Sequence, residues 1–346
     1  MRLYQPTSRS LSGHIAGLLA LVISFAVIIL SLSSTAASQG RYVTFDPPGA
    51  TATYPAGINQ SGQVVGQYTD SSTGHSFLRN SDGSIVPFDP PGAFFSTATS
   101  LNHLGEVIGY WTDSLGYHGY YRDSGGTITT FDASTGEYRT FPFAINDGGS
   151  IVGYYSDGTL QHGSLRDPSG VITTFDPPNA VYTYATCINQ SGFISGSYSD
   201  SRFVLHGFIR DPAGNFTNVN VPGAGGPGTE SGCLNDEKQM SGTYSDIKAV
   251  THGYLRSPNG VFTTFSVPIA QNTDAGMISD GGQIVGTAYS AKVSAGFVRQ
   301  ASGGISVFEV PGAGPLGTVA VSINSSGSAT GYYYDLHNVR HGYMRF

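Results

Sequence analysis

Residues 171–210 read VITTFDPPNAVYTYATCINQSGFISGSYSDSRFVLHGFIR, and this stretch decides the fold. It holds four strand-like runs separated by turn residues. Val171–Phe175 is the first, and the Pro177-Pro178 pair after Asp176 ends it, because proline has no N–H to give a ladder. Thr183–Ile188 follows, then Asn189-Gln190-Ser191-Gly192, a tight turn with glycine where positive φ is needed. Phe193–Ser199 and His206–Arg210 complete the set.

The same pattern runs along the chain beyond residue 40. An Ile/Leu-Asn pair recurs at Ile58-Asn59, Leu101-Asn102, Ile145-Asn146, Ile188-Asn189, Leu234-Asn235 and Ile323-Asn324, with Ile278-Ser279 in the sixth place, at spacings of 43 to 46 residues. A glycine follows each time (Gly66, Gly109, Gly153, Gly196, Gly242, Gly286, Gly331), with Tyr after it in the second, third and last units. Then comes His-Gly-aromatic-X-Arg and a Thr-Phe-Asp-Pro-Pro element or a variant. Four short strands in about 44 residues are the signature of a propeller blade. The expected fold class is all-β, a seven-bladed β-propeller of four-stranded blades. The last unit stops at Phe346 after its third strand, and the missing fourth strand stands alone at Arg41–Pro48. Pairing Val43–Phe45 with the last unit would close the ring and remove two exposed strand edges. An open solenoid would need atypical capping repeats, which this sequence lacks.

The repeated His-Gly-Phe/Tyr with its Asn-x-x-Gly-x-Ile-Val-Gly-Tyr run resembles the bacterial extracellular repeats of the HAF family, over residues 41–346. The resemblance implies an exported repeat protein and implies no reaction.

Export is also the reading of the N-terminus. Arg2, Arg9 and His14 precede the uncharged apolar run Ile15–Leu32, and Ser33-Ser34-Thr35-Ala36-Ala37-Ser38 supplies small residues for cleavage. The division expected is a signal peptide at 1–38 and a propeller domain at 39–346. An uncleaved anchor is the competing reading, since 18 residues just reach membrane-spanning length. Either way the protein is expected to be secreted, periplasmic or at the cell surface. Cleaved, it would have no membrane span, and it is expected to be a monomer.

The composition supports strands over helices, with 48 Gly and 11% charged residues in 346. The formal charge is −7, and the first 38 residues hold two bases and no acid. Such a balance excludes nucleic acid as a partner, because nothing would replace the counterions of a phosphate backbone. Gly223–Gly228 matches G-x-G-x-x-G, but no helix follows it to receive a pyrophosphate. No metal or cofactor motif is present, so no cofactor and no metal are expected.

Residues repeated in every unit are read as scaffold. His75, His118, His162, His206, His252 and His341 each follow an Asp by five or six positions (Asp70, Asp113, Asp157, Asp200, Asp246, Asp335). In the sixth unit both are lost, to Ser290 and Ala295, which predicts that they contact each other. Six dyads spread around a ring cannot converge on one substrate. The repeated Arg is expected to meet the carboxylate of the Phe-Asp-Pro element (Asp46, Asp89, Asp132, Asp176, Glu309). The Gly-Tyr pairs are expected to fill the wedge between blades. Thr53, Ser96, Thr140, Thr183, Thr229, Thr273 and Thr318 form a ring of hydroxyls, read as bonded to local backbone. Cys187 and Cys233 occupy equivalent positions, so their side chains are expected to point in the same rotational sense and stay unpaired.

Function is sought where the units differ. The residue after each ring hydroxyl reads Tyr54, Thr97, Phe141, Tyr184, Glu230, Asp274 and Val319, and the loops before it vary, with Phe94-Phe95, Glu137-Tyr138-Arg139 and Val181-Tyr182. The expected ligand-binding residues are therefore Tyr54, Phe95, Tyr138, Phe141, Tyr182, Tyr184, Glu230 and Asp274. Aromatic platforms beside carboxylates suit sugar rings, with their apolar faces and hydroxyl edges. The reading is a binding module for a glycan or another extracellular partner rather than an enzyme. The alternative is a carbohydrate-active hydrolase or lyase with Glu230 and Asp274 as its acid pair and Glu137 and Glu309 as outsiders.

Overall fold

The computed structural model describes residues 40–133, 138–291 and 294–346; the 1–38 segment read as a signal peptide and Glu137 lie outside them. Residues 41–346 form one compact unit. Among the described residues there are twenty-eight strands, from Tyr42–Phe45 to Arg340–Arg345. In each of the first six repeats four consecutive strands pair antiparallel in chain order, as in Ala52–Ile58, Val64–Thr69, Gly74–Arg79 and Ile85–Phe88. Tyr42–Phe45 pairs instead with Arg340–Arg345, Val43 opposite Met344, so the first strand serves the last repeat.

In every repeat but the sixth, the first hairpin turns on an Asn. In the first repeat the Gln63 amide donates to Asn59 Oδ1 (3.0 Å), while Asn59 Nδ2 donates to the Asn102 carbonyl of the next repeat (3.1 Å). The same donation runs on from Asn102 to Asn146, Asn189, Asn235 and Ser279. Asn324 of the last repeat returns to the Asn59 carbonyl at 3.0 Å. A short amide is what this position requires, with its acceptor facing its own turn and its donor facing the neighbour.

The repeated glycine is steric. A Cβ on Gly109 would stand 2.0 Å from the Thr97 carbonyl oxygen, and one on Gly286 2.0 Å from that of Asp274. In six repeats the glycine also faces a fully buried ring from the next strand, Phe77, Tyr120, Phe208, Tyr254, Phe297 or Tyr343, and in the third it faces Ser164. These rings fill the core, while the Tyr of each Gly-Tyr pair meets a ring of the adjacent repeat as expected, Tyr110 with Phe141, Tyr154 with Tyr184 and Tyr332 with Tyr54. The residue after the glycine is the cross-strand partner of the variable position, as Tyr110 is of Thr97 and Tyr154 of Phe141. Alternation along a strand therefore turns it to the opposite face.

The histidines are bracketed on two sides. His162 Nδ1 lies 2.7 Å from Asp176, of the Phe-Asp-Pro element, and Nε2 lies 3.4 Å from Asp157. The expected contact exists, but the shorter bond goes to the other carboxylate. The same holds for His75 with Asp89 and Asp70, and for His341 with Asp46 and Asp335. Each ring also lies on an aromatic ring of the neighbouring strand, as His162 does on Tyr155. The sixth repeat replaces the set with Ala288 opposite Ala295, both fully buried.

Two further expectations are corrected. The repeated Arg stacks on the Phe of the Phe-Asp-Pro element and not on its carboxylate: Arg79 over Phe45 (5.2 Å), Arg122 over Phe88, Arg166 over Phe131, Arg210 over Phe175, Arg299 over Phe265 and Arg345 over Phe308. The Asp is committed elsewhere, since Asp176 accepts from Thr183 (2.6 Å) as well as from His162. Without such an Asp the ring hydroxyl accepts a backbone N–H, as Thr229 does from Val221, so the hydroxyls are structural as expected. Cys187 and Cys233 are disulfide-bonded, with Cα atoms 5.2 Å apart. Equivalence by rotation does not keep them apart, because the first strands of adjacent repeats run side by side. Thr186 Oγ1 reaches the Gly232 carbonyl at 2.9 Å.

Candidate functional site

The first strand of every repeat has a register shift just before its Ile/Leu. Ala56, Thr99, Phe143, Thr186 and Val321 occupy the bulge in five repeats, while in the fifth and sixth the shift spans Ser231 to Leu234 and Ala275 to Ile278. There the bulges hold Gly232 and Gly276, and a Cβ on Gly232 would stand 2.6 Å from the Gly276 carbonyl. A bulge re-aims the side chains beside it. Here the neighbouring residues are Glu230 and Asp274, on strands Thr229–Leu234 and Asn272–Ile278.

Both carboxylates line one cavity of about 490 Å³, together with Ser231, Thr243, Thr287, Tyr289, Ser294 and Val319. Thr243 and Thr287 are the cross-strand partners of Glu230 and Asp274. Both acids reach the cavity's solvent, yet its walls strip away much of the surrounding water. Burial, and then the Asp274 charge, push the Glu230 carboxyl above its usual range; burial raises Asp274 as well. Among the described residues the lining holds no Lys, Arg or His. No group of three or more His, Cys, Asp or Glu able to hold a metal occurs among the described residues.

The expected aromatic residues gather elsewhere. Phe141 stacks on Tyr154 (4.9 Å) and meets Tyr110 and Tyr117 (both 5.1 Å); Tyr184 stands edge-on to Tyr154 (5.0 Å), and Phe95 lies 6.3 Å from Tyr110. Tyr54 belongs to a second group, 5.9 Å from Tyr332 and under the Arg340 guanidinium (4.7 Å). Tyr182 faces Phe203 at 6.2 Å, and Tyr138 enters through its backbone pairing with Gly116. The structure thus brings Glu230 and Asp274 together, and it brings Phe95, Phe141 and Tyr184 together, but none of the five aromatics whose side chains are described lines the acidic cavity. Glu309 is exposed and outside it.

The reason is the cross-strand partner. Where both positions carry rings they pack on each other and fill the space; where they carry Glu/Thr or Asp/Thr, space remains. Sequence reading missed Thr243, Thr287, Tyr289 and Ser294. The first two were detectable as the residue after the repeated glycine, which varies as Gln67, Tyr110, Tyr154, Ser197, Thr243, Thr287 and Tyr332.

No protein-family model matches the chain, and no curated sequence matches it. Solved structures do. A streptogramin B lyase is similar at TM-score 0.61 and 12% identity, over 90% of this chain and 99% of that one. The virginiamycin B lyase from Staphylococcus aureus is similar at TM-score 0.60 and 13% identity, over 89% and 100%. The β-propeller domain of the trilobed protease from Pyrococcus furiosus is similar at TM-score 0.60 and 8% identity, over 86% and 94%. Likeness at this identity concerns the fold, and the fold is that of a β-propeller.

Proposed function

We propose that the protein is an exported, seven-bladed β-propeller of the HAF-repeat type that works by binding a glycan at its acidic cavity. Ring closure through the Tyr42–Phe45 strand belongs to the same proposal; the pairing of that strand with the last repeat and the Asn324-to-Asn59 bond support it. The observation that carries the binding reading is the cavity itself. It falls within the roughly 300–1,000 Å³ of small-molecule sites, and its lining offers carboxylates, hydroxyls and the ring of Tyr289 to a sugar's hydroxyl edge and apolar face.

The raised Glu230 carboxyl favours a second reading, a carbohydrate-active enzyme with Glu230 as acid and Asp274 as its partner. One experiment separates the two. Residues 39–346 are screened on a glycan array, and every hit is assayed for release of reducing ends. The binding reading expects hits without release, weakened about 10- to 100-fold in E230Q/D274N, as removal of charged hydrogen bonds does. Turnover abolished by the same substitutions would establish the enzyme, and an array with no hits would refute glycan binding.

A further inference from the structure

We propose that one end of the molecule docks on an anionic phospholipid surface, through the loops that join the second and third strands of the repeats. Because consecutive strands run antiparallel, these loops share an end with the connections between repeats. Three of them are the same five-residue turn: Asp200–Val204, Asp246–Val250 and Asp335–Val339, each closed by the N–H of its first residue donating to the carbonyl of its fifth. The third residue is a base each time, Arg202, Lys248 or His337, and all three are exposed. Beside it stands an exposed apolar side chain, Phe203 (69%), Ile247 (87%) or Leu336 (75%). The Asp of each loop turns inward instead, its Oδ1 accepting two N–H groups of its own loop. Single exposed apolar residues are ordinary. An apolar residue beside a base, recurring on one kind of loop, is not.

A second observation comes from the backbone. The fourth residue of this turn has positive φ, 61° at Phe203, 59° at Ala249 and 62° at Asn338. That region suits glycine and asparagine and disfavours bulky side chains. Phe203 is thus held in a strained conformation beside Tyr182 (6.2 Å), with most of its ring in solvent. Strain kept for a ring that the fold leaves exposed points to a use outside the chain. The spacing of the tips selects the partner. Repeats related by rotation bring equivalent loops to one level, and Leu115 on the second repeat's loop, with Phe94 and Ile269 on connections at the same end, is exposed there too. A protein partner needs a contiguous buried patch. A fluid surface instead admits separate side chains, its apolar layer taking the tips and its phosphates the bases. Glu230 and Asp274 stand inside their strands, behind the loop tips. The opposite end carries Asp147, Asp236 and Asp280 on its first-hairpin turns, which anionic headgroups would repel.

The test is co-sedimentation of residues 39–346, which leave out the apolar run Ile15–Leu32, with vesicles of phosphatidylethanolamine and phosphatidylglycerol and with vesicles of phosphatidylcholine alone. The expected result is binding to the anionic vesicles that is about tenfold weaker in F203S/I247S/L336S, and weaker in about 1 M salt, where the screening length is about 3 Å. F203G removes the ring and the strain together, so it should bind less while its urea midpoint holds or rises. A lower midpoint in F203G would make the ring structural and overturn its assignment to lipid. No binding to either vesicle, or binding unchanged in the triple variant, would overturn the docking itself. Equal binding to phosphatidylcholine would overturn the part assigned to the bases. A dimer in solution that the triple variant dissolves would give this end to a second copy of the chain and overturn the lipid partner.

Discussion

Ser279 is the one residue that breaks the Asn series. Its hydroxyl accepts the Gln283 amide at 3.2 Å, doing the work of an Asn Oδ1, but it lacks the side-chain amide nitrogen with which the other repeats reach onward. The other repeats use that donor to reach the next repeat's carbonyl, as Asn235 does to Ser279 itself. S279N should therefore keep the turn and add the missing bond to Asn324. The expected gain is about 0.5–1.5 kcal/mol, the usual net value of one intramolecular hydrogen bond, read from urea unfolding as a higher midpoint with an unchanged slope. A lower midpoint would mean that the sixth repeat has adapted to the serine. The Asn series itself was plain in the sequence. Its direction, each side chain reaching forward to the next repeat, was not, because a repeated letter carries no information about which neighbour it faces.

Among the elements, the first strands carry both the site and the only staple. The Cys187–Cys233 disulfide ties strand Tyr182–Ile188 to strand Thr229–Leu234, which bears Glu230. It closes a loop with a sequence separation of 46 residues. Chain entropy assigns a loop of that size about 4 kcal/mol, an upper bound for what it contributes. C187S/C233S should lower the unfolding free energy by about 2–4 kcal/mol, measured beside the wild type under reduction, where the difference should vanish. A gap that persists under reduction would point to lost packing rather than to the lost bridge. The sequence reading failed here for a physical reason: rotational equivalence fixes the orientation of two side chains, while their separation depends on how closely adjacent first strands approach.

For the whole molecule, the ends are the vulnerable place. The Tyr42–Phe45 strand brings Asp46 to His341 Nδ1 at 2.6 Å and Phe45 beneath Arg79, so it touches both the last repeat and the first. Removing residues 41–48 strips the partner from strand Arg340–Arg345 and exposes its edge. The truncated protein should unfold over a broader range with a smaller urea slope, and a sharp transition of unchanged slope would count against the proposed closure. The same contact gives stability a pH dependence. Burial opposes the charge on His341, but Asp46 and then Asp335 outweigh it and raise its proton affinity above the ordinary imidazole value. A raised folded value means stabilisation that is complete below the unfolded pKa of about 6.5 and is lost as pH rises through the folded one. The wild-type midpoint should fall between pH 6 and 8, and H341Q should fall less.

The sequence by itself determined the all-β repeats, the four strands in each, the turn residues and the likeness between repeats, because these follow from local rules: alternation, proline's missing N–H, and glycine's lack of a Cβ. It also picked out Glu230 and Asp274, since a position that varies within a strict repeat is visible without coordinates. Only the tertiary structure decided which side chains meet. It turned the repeated Arg from Asp to Phe, gave His its nearer carboxylate, joined the cysteines, and moved the aromatic residues away from the acids into groups of their own. Those outcomes depend on the space left between adjacent strands, and that space is set by pairs of residues on different strands, far apart in the chain.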